Sequence, residues 1–167
     1  LSGRYICNTH LEPLLSAYNG TVIGHSETGS PIHRICIGTG KIKVLMWSQM
    51  HGNESTTTKS LFDLLRYLQS DKGLLGLLQL SIIPILNPDG AKSYTRFNAN
   101  KVDLNRDAID LSQVESRILR KELDEFSPDY AFNLHDQRTI FGVETKPATI
   151  SLLAPAFNKE RNFNLCR

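Results

Sequence analysis

Cysteine is scarce and poorly placed for cross-linking: the 167-residue chain has three, Cys7, Cys36 and Cys166, odd in number and without a C-x-x-C pair. A disulfide framework and a thiolate zinc knuckle are thereby excluded, so any metal here has to be held by histidine and carboxylate. Uninterrupted apolar stretches near the ~20 residues that a membrane helix needs are absent, and Leu1-Ser2-Gly3-Arg4 has none of the apolar character of a signal peptide. No membrane partner is expected, and cytoplasmic location is the default for a chain whose opening Leu leaves room for a removed leader. An excess of one charge is also missing. The formal net charge is +2, which with no block of like charge argues against nucleic acid as a partner. Repeats and low-complexity linkers are missing too, so a single domain over residues 1–167 is the simplest partition. What is present is 40% apolar content with mixed charges, enough for a soluble domain with a real core.

The apolar pattern reads as strands first and alternation afterwards. Asn19 to His25 and Pro31 to Ile37 are β-rich and flank the polar turn Glu27-Thr28-Gly29-Ser30, which predicts an antiparallel hairpin. Lys41 to Ser48 is a short apolar run suited to a strand covered on both faces, and Ser55 to Ser70 places Leu61, Leu64, Leu65 and Leu68 at helical spacing. A second buried strand is predicted over Leu77 to Leu86, an amphipathic helix over Ser112 to Phe126, and a third strand over Tyr130 to Leu134. Ser127-Pro128 stops the helix. Such alternation predicts an α/β fold with helices on the faces of the sheet, and ligands at the carboxyl ends of its strands.

Polar clusters fall at those strand ends. The first strand runs into Gln49-Met50-His51-Gly52-Asn53-Glu54, the second into Asn87-Pro88-Asp89-Gly90, the third into His135-Asp136-Gln137. If the strands are parallel neighbours, His51, Glu54 and His135 converge on one rim. Two imidazoles and one carboxylate are the ligand set of a catalytic zinc that keeps a position open for water or substrate. Each piece alone is weak, since chance gives some His-x-x-Glu pair in about a quarter of such chains. Taken singly, His51 is a loop histidine, Glu54 an acid suited to a helix N-terminus, and His135 a satisfied histidine at a strand end. The combined reading requires one ion to be reachable from all three, so a separation above ~10 Å between His135 and the other two would end it.

Arg96 to Asp107 lies in a loop of about twenty residues without helix or strand pattern, a length that is usually functional or disordered. Its Arg and Asn donors are suited to gripping a carboxylate, the guanidinium through a planar fork. Asp136, beside His135, is a candidate acceptor for an imidazole N–H, although neighbouring side chains on a strand point to opposite faces. His10, His25 and His33 read as structural or surface residues.

His51-Gly-Asn-Glu54, Asn87-Pro-Asp-Gly90, Val102-Asp-Leu-Asn105-Arg106 and Asn133-Leu-His135 together resemble the motifs of the M14 zinc carboxypeptidases, in the order and on the kinds of element found in that family. The resemblance spans residues 51 to 135. It implies a three-layer α/β/α fold with a mixed, mostly parallel central sheet, one zinc ion held by His51, Glu54 and His135, and Asn105 and Arg106 clamping the C-terminal carboxylate of a peptide substrate. It implies Arg96 as the catalytic cation beside the scissile carbonyl oxygen, with Arg138 a rival for that role. The implied activity is hydrolysis of the C-terminal peptide bond by a zinc-activated water.

The family also places a catalytic Glu on a later strand. Here only residues 136–167 follow His135, and neither Glu144 nor Glu160 lies on a suitable element. The expectation is therefore a domain truncated at its C-terminal side, with an incomplete site, an open last strand and at best weak activity of these residues alone. The alternatives are an aspartoacylase- or succinylglutamate desuccinylase-like zinc amidohydrolase of small N-acyl amino acids, which shares the His-x-x-Glu, the Asn-Arg pair and the later His, and a non-catalytic metal- or peptide-binding module.

Overall fold

In the computed structural model, residues 1 and 3–136 are described in full, and residues 141–143 and 146–148 through their backbone. The chain divides into two compact units, Leu1–Asp136 and Gln137–Arg167. In the second, strands β6 (Phe141–Val143) and β7 (Lys146–Ala148) pair antiparallel. The earlier candidates Arg138, Glu144 and Glu160 lie outside the described residues.

The first unit runs α1 (Asn8–Ala17), β1 (Thr21–His25), β2 (Pro31–Ile37), β3 (Ile42–Trp47), α2 (Thr56–Ser70), α3 (Lys72–Leu77), β4 (Leu78–Ile83), α4 (Pro88–Ser93), α5 (Val114–Phe126) and β5 (Tyr130–Asn133). Its sheet has the order β1-β2-β4-β3-β5. β4, β3 and β5 are parallel, with Trp47 opposite both Ile83 and Asn133, and the β1–β2 hairpin adds antiparallel strands along β4. The sheet is therefore mixed, as expected, and its parallel part carries all three polar strand ends.

Helices cover both faces because side chains alternate along each strand. Val44 and Met46 of β3 and Leu80 and Ile82 of β4 face the cluster built with Leu11 and Leu15 of α1 and Leu61, Phe62, Leu65 and Leu68 of α2. Leu45 and Trp47 of β3 and Ile83 of β4 point the other way, into a cluster with Ile118, Leu119 and Leu123 of α5. Each fully buried Leu or Ile contributes about 1.5–3 kcal/mol of transfer free energy, so these two layers hold β3 rigidly at the centre. No helix among the described residues is long and apolar enough to cross a membrane. Cys7 and Cys36 are free thiols.

Candidate metal centre

β3 ends at Trp47, and the chain then descends through buried Ser48, Gln49 and Met50 to His51. This descent is held by hydrogen bonds that leave few polar groups unpaired. Gln49 Nε2 donates to the Gly52 carbonyl (2.7 Å) and the Ile6 carbonyl (3.0 Å), while Gln49 Oε1 accepts from Thr58 Oγ1 (2.7 Å). Ser48 and Asn87 tie the ends of β3 and β4 together: Leu86 N donates to Ser48 O (3.1 Å), and Asn87 N to Gln49 O (3.0 Å).

Asn87-Pro88-Asp89-Gly90 forms the start of α4. Pro88 fits the first helical turn, where a missing N–H costs nothing, and Asn87 Oδ1 caps Gly90 N at 2.8 Å. Here two glycines meet. A methyl group on Gly52 would overlap the Gly90 carbonyl carbon and the Ala91 nitrogen, and one on Gly90 would sit 2.6 Å from the Phe97 carbonyl oxygen. Backbone-to-backbone packing thus brings the His51–Glu54 segment against α4 and the loop that follows. Asp89 is buried and fastens the β1–β2 turn to α4, accepting from Ser26 Oγ (2.8 Å) and Thr28 N (3.1 Å).

His51, Glu54 and His135 each offer a ligand atom, and these atoms lie within 4.8 Å of one another. The Glu54 carboxylate sits between the rings, its Oε1 2.9 Å from His51 Nδ1 and its Oε2 2.8 Å from His135 Nδ1. The ring centroids are 4.7 Å apart, so the geometric requirement set by the sequence is met. His51 and Glu54 are buried, and 32% of the His135 side chain is exposed. Burial works against the Glu54 charge, but the hydrogen bonds from His135 and His51 outweigh it and hold its carboxyl at about 2.

The sequence reading left Asp103 without a role. Its Oδ1 lies 3.0 Å from His51 Nε2 and accepts from Asn105 N at 2.9 Å, and its Oδ2 accepts from Arg96 Nε at 3.0 Å. Metal-binding imidazoles usually donate their other N–H to a carboxylate or carbonyl, which fixes ring and tautomer. That rule was the available signal, but only the fold brings Asp103, 52 residues away, to His51. Arg96 is placed at the cluster by Asp103 and lies 3.7 Å from Glu54 Oε1 through its Nη1.

The long loop is ordered by buried polar groups and one apolar anchor. Asn98 Oδ1 accepts from Asn100 N (3.1 Å) and Val102 N (3.0 Å), and its Nδ2 donates to Gln113 Oε1 (2.9 Å) and Glu115 Oε2 (3.2 Å). Leu104, fully buried, pins the far side of the loop in the core. Asn105 Oδ1 accepts from Asn133 Nδ2 at 3.2 Å, which turns the Asn105 Nδ2 donor away from Asn133. Among the described residues, neither that Nδ2 nor the exposed Arg106 guanidinium has a partner. Two adjacent unspent donors, one of them cationic, are suited to a carboxylate. All six residues picked out by the sequence thus sit on or beside one strand-end rim.

The sequence model of the family described as "Zinc carboxypeptidase" matches residues 16–147. Carboxypeptidase 2 of Trichophyton tonsurans is 28% identical over 129 residues, which cover 75% of this chain and 24% of that protein. The chain therefore spans about a quarter of the length of that curated relative. The metallo-carboxypeptidase from Burkholderia cenocepacia superposes with a TM-score of 0.71 at 21% identity, over 78% of this chain and 41% of that one. Carboxypeptidase A from Helicoverpa armigera gives a TM-score of 0.64 at 21% identity, over 78% and 44%. At those identities the two structures establish the fold, and the match over residues 16–147 establishes the family: the chain belongs to the zinc carboxypeptidases of the M14 class.

Proposed function

We propose that the protein acts in zinc-dependent hydrolysis of the C-terminal peptide bond of peptides, with this chain supplying the metal site and the grip on the substrate's carboxylate. The observation that carries the proposal is the convergence of His51, Glu54 and His135 within 4.8 Å, with Arg96 alongside. Two neutral nitrogens and a carboxylate suit a single zinc with an open position, and the bonding of His51 Nε2 to Asp103 leaves its Nδ1 as the ligating atom. When bound, zinc supplies a Lewis acid that lowers the pKa of water toward ~7.

The chain's own groups then divide the work. His51 Nδ1, His135 Nδ1 and Glu54 hold the ion. Arg106 and Asn105 Nδ2 receive the terminal carboxylate, which favours the last peptide bond because an internal segment offers the guanidinium no carboxylate for a charge-assisted hydrogen bond. Arg96, oriented by Asp103, presents its guanidinium to the oxygen on which negative charge develops. A donor in that role is typically worth about 2.7–4 kcal/mol of barrier. Glu54 is taken up by the metal site, the Asp103 carboxylate by His51 and Arg96, and the Asp136 carboxylate by Thr56 N and Thr57 N, so none of these three serves as the proton-transferring base.

The test compares Arg106→Ala with the unaltered protein on an N-acylated dipeptide and on its C-terminal amide. A lost charged hydrogen bond is worth ~1.5–3 kcal/mol, so kcat/KM for the free acid should fall roughly 10- to 100-fold, and that for the amide less than about threefold. Equal losses on both would refute the clamp. Faster turnover of N-acetylaspartate or N-succinylglutamate than of the dipeptide would replace the peptidase reading with an amidohydrolase.

A further inference from the structure

We infer that Asp136 is a positioning residue for the metal site, holding His135 in ligating register by tying it to the N-terminus of α2. This inference rests on the metal reading above. α2 begins without a cap of its own: its first turn has no acidic residue, and Ser55, in the capping position, makes no side-chain cap. The Ser55 hydroxyl instead donates to the Arg4 carbonyl at 2.6 Å. The first N–H groups of a helix have no partner within it. Two of them are satisfied from far along the chain, Thr56 N by Asp136 Oδ2 at 2.8 Å and Thr57 N by Asp136 Oδ1 at 3.1 Å.

The same residue also reaches the candidate ligands. Asp136 N donates at 3.2 Å to Glu54 Oε2, the oxygen that His135 Nδ1 meets at 2.8 Å. Carboxylate and backbone of one residue therefore bridge helix, ligand carboxylate and ligand imidazole. The helix end is itself fixed, because Thr57 Oγ1 and Thr58 Oγ1 meet Ser48 Oγ beyond β3 at 2.7 and 2.9 Å. His135 needs this bridge more than the other two ligands. His51 and Glu54 are buried, whereas His135 is exposed and follows β5, an edge strand of the described sheet whose Tyr130, Ala131 and Phe132 are all exposed. Packing alone holds its ring weakly. The Asp136 carboxylate thus serves Thr56 N and Thr57 N rather than an imidazole N–H, the acceptor role its place beside His135 suggested, and it is the Asp136 backbone N–H that reaches the ligand group.

The experiment measures zinc affinity of the full chain by competition with a chromophoric chelator, alongside Tm. Asp136→Ala should weaken zinc binding roughly 10- to 100-fold, and Asp136→Asn, which keeps one acceptor oxygen, should lose less. Arg66→Gly, on the exposed face of α2, should lower Tm while changing zinc affinity less than about twofold. His51→Ala serves as the reference for loss of a ligand. If Asp136→Ala keeps zinc affinity within about threefold while His51→Ala loses it, the positioning role is overturned and the metal site stands. If His51→Ala also keeps its zinc, the metal reading itself falls. Should Asp136→Ala fail to fold, Asp136→Asn carries the comparison on the same criterion. An equal zinc loss in Arg66→Gly would reduce Asp136 to a stability effect and overturn the inference.

Discussion

Replacing Asp103 with Asn keeps the shape of the side chain and removes its charge and one of its two acceptors. The unaltered carboxylate serves His51 Nε2 at 3.0 Å, Arg96 Nε at 3.0 Å and Asn105 N at 2.9 Å. Burial disfavours its charge, yet the hydrogen bonds from His51, Arg96 and the Asn105 backbone dominate and hold its carboxyl below the ordinary value. In the amide, one nitrogen must face either His51 or Arg96. A donor then meets a donor, and only 16% of the side chain is exposed for water to relieve the conflict. A hydrogen bond involving a charged group is worth ~1.5–3 kcal/mol, and loss of an outer partner of a metal-binding imidazole typically costs 10- to 100-fold in affinity, or about 1.4–2.7 kcal/mol. Chelator competition at fixed pH should therefore show zinc binding weakened by roughly that factor in Asp103→Asn. Zinc affinity within about twofold of the unaltered protein would mean that Asp103 does not orient His51, and the reasoning would fail.

Two further outcomes follow from the scaffold. Asp107 is held at about 2, because hydrogen bonds from the Ser112 hydroxyl and the Ser112 and Gln113 N–H groups outweigh a burial effect that would raise it. A depressed carboxyl adds stability above its unfolded value near 3.8 and loses it as pH falls through about 2. Asp107→Asn should thus melt below the unaltered protein at pH 7, with the gap closing between pH 4 and pH 2 (roughly the interval between the two pKa values). A pH-independent gap in calorimetry would refute this. Gly52→Ala drives a methyl group into the backbone of Gly90 and Ala91, an overpacking conflict that costs about 1–3 kcal/mol or more. Its Tm should drop and its zinc affinity with it, because His51 and Glu54 flank the displaced residue; unchanged values for both would show that the segment yields freely.

Much of this protein was legible in its sequence where the controlling physics is local. The β1–β2 hairpin, β3, α2, α5 and β5 were readable from periodicity, since each buries a continuous face whose spacing is fixed by strand or helix geometry. The residue types of the metal cluster were readable as well, because zinc chemistry restricts them. Local pattern failed for the short helices. α1 carries Pro13 inside it, α3 takes Leu77 from what reads as one long strand up to Leu86, and α4 begins within a sequence that equally encodes a turn. Each is a brief element whose identity is settled by packing rather than propensity. The parallel arrangement of β4, β3 and β5 was only a condition in the sequence reading, and the fold supplied it. Asp103 and Asp136 acquired their roles in the same way. The sequence alone determined which side chains could bind an ion and a carboxylate. The tertiary structure decided which ones meet and which backbone groups hold them there, because contacts between residues 52 to 82 positions apart depend on strand order and loop packing, on which no local preference acts.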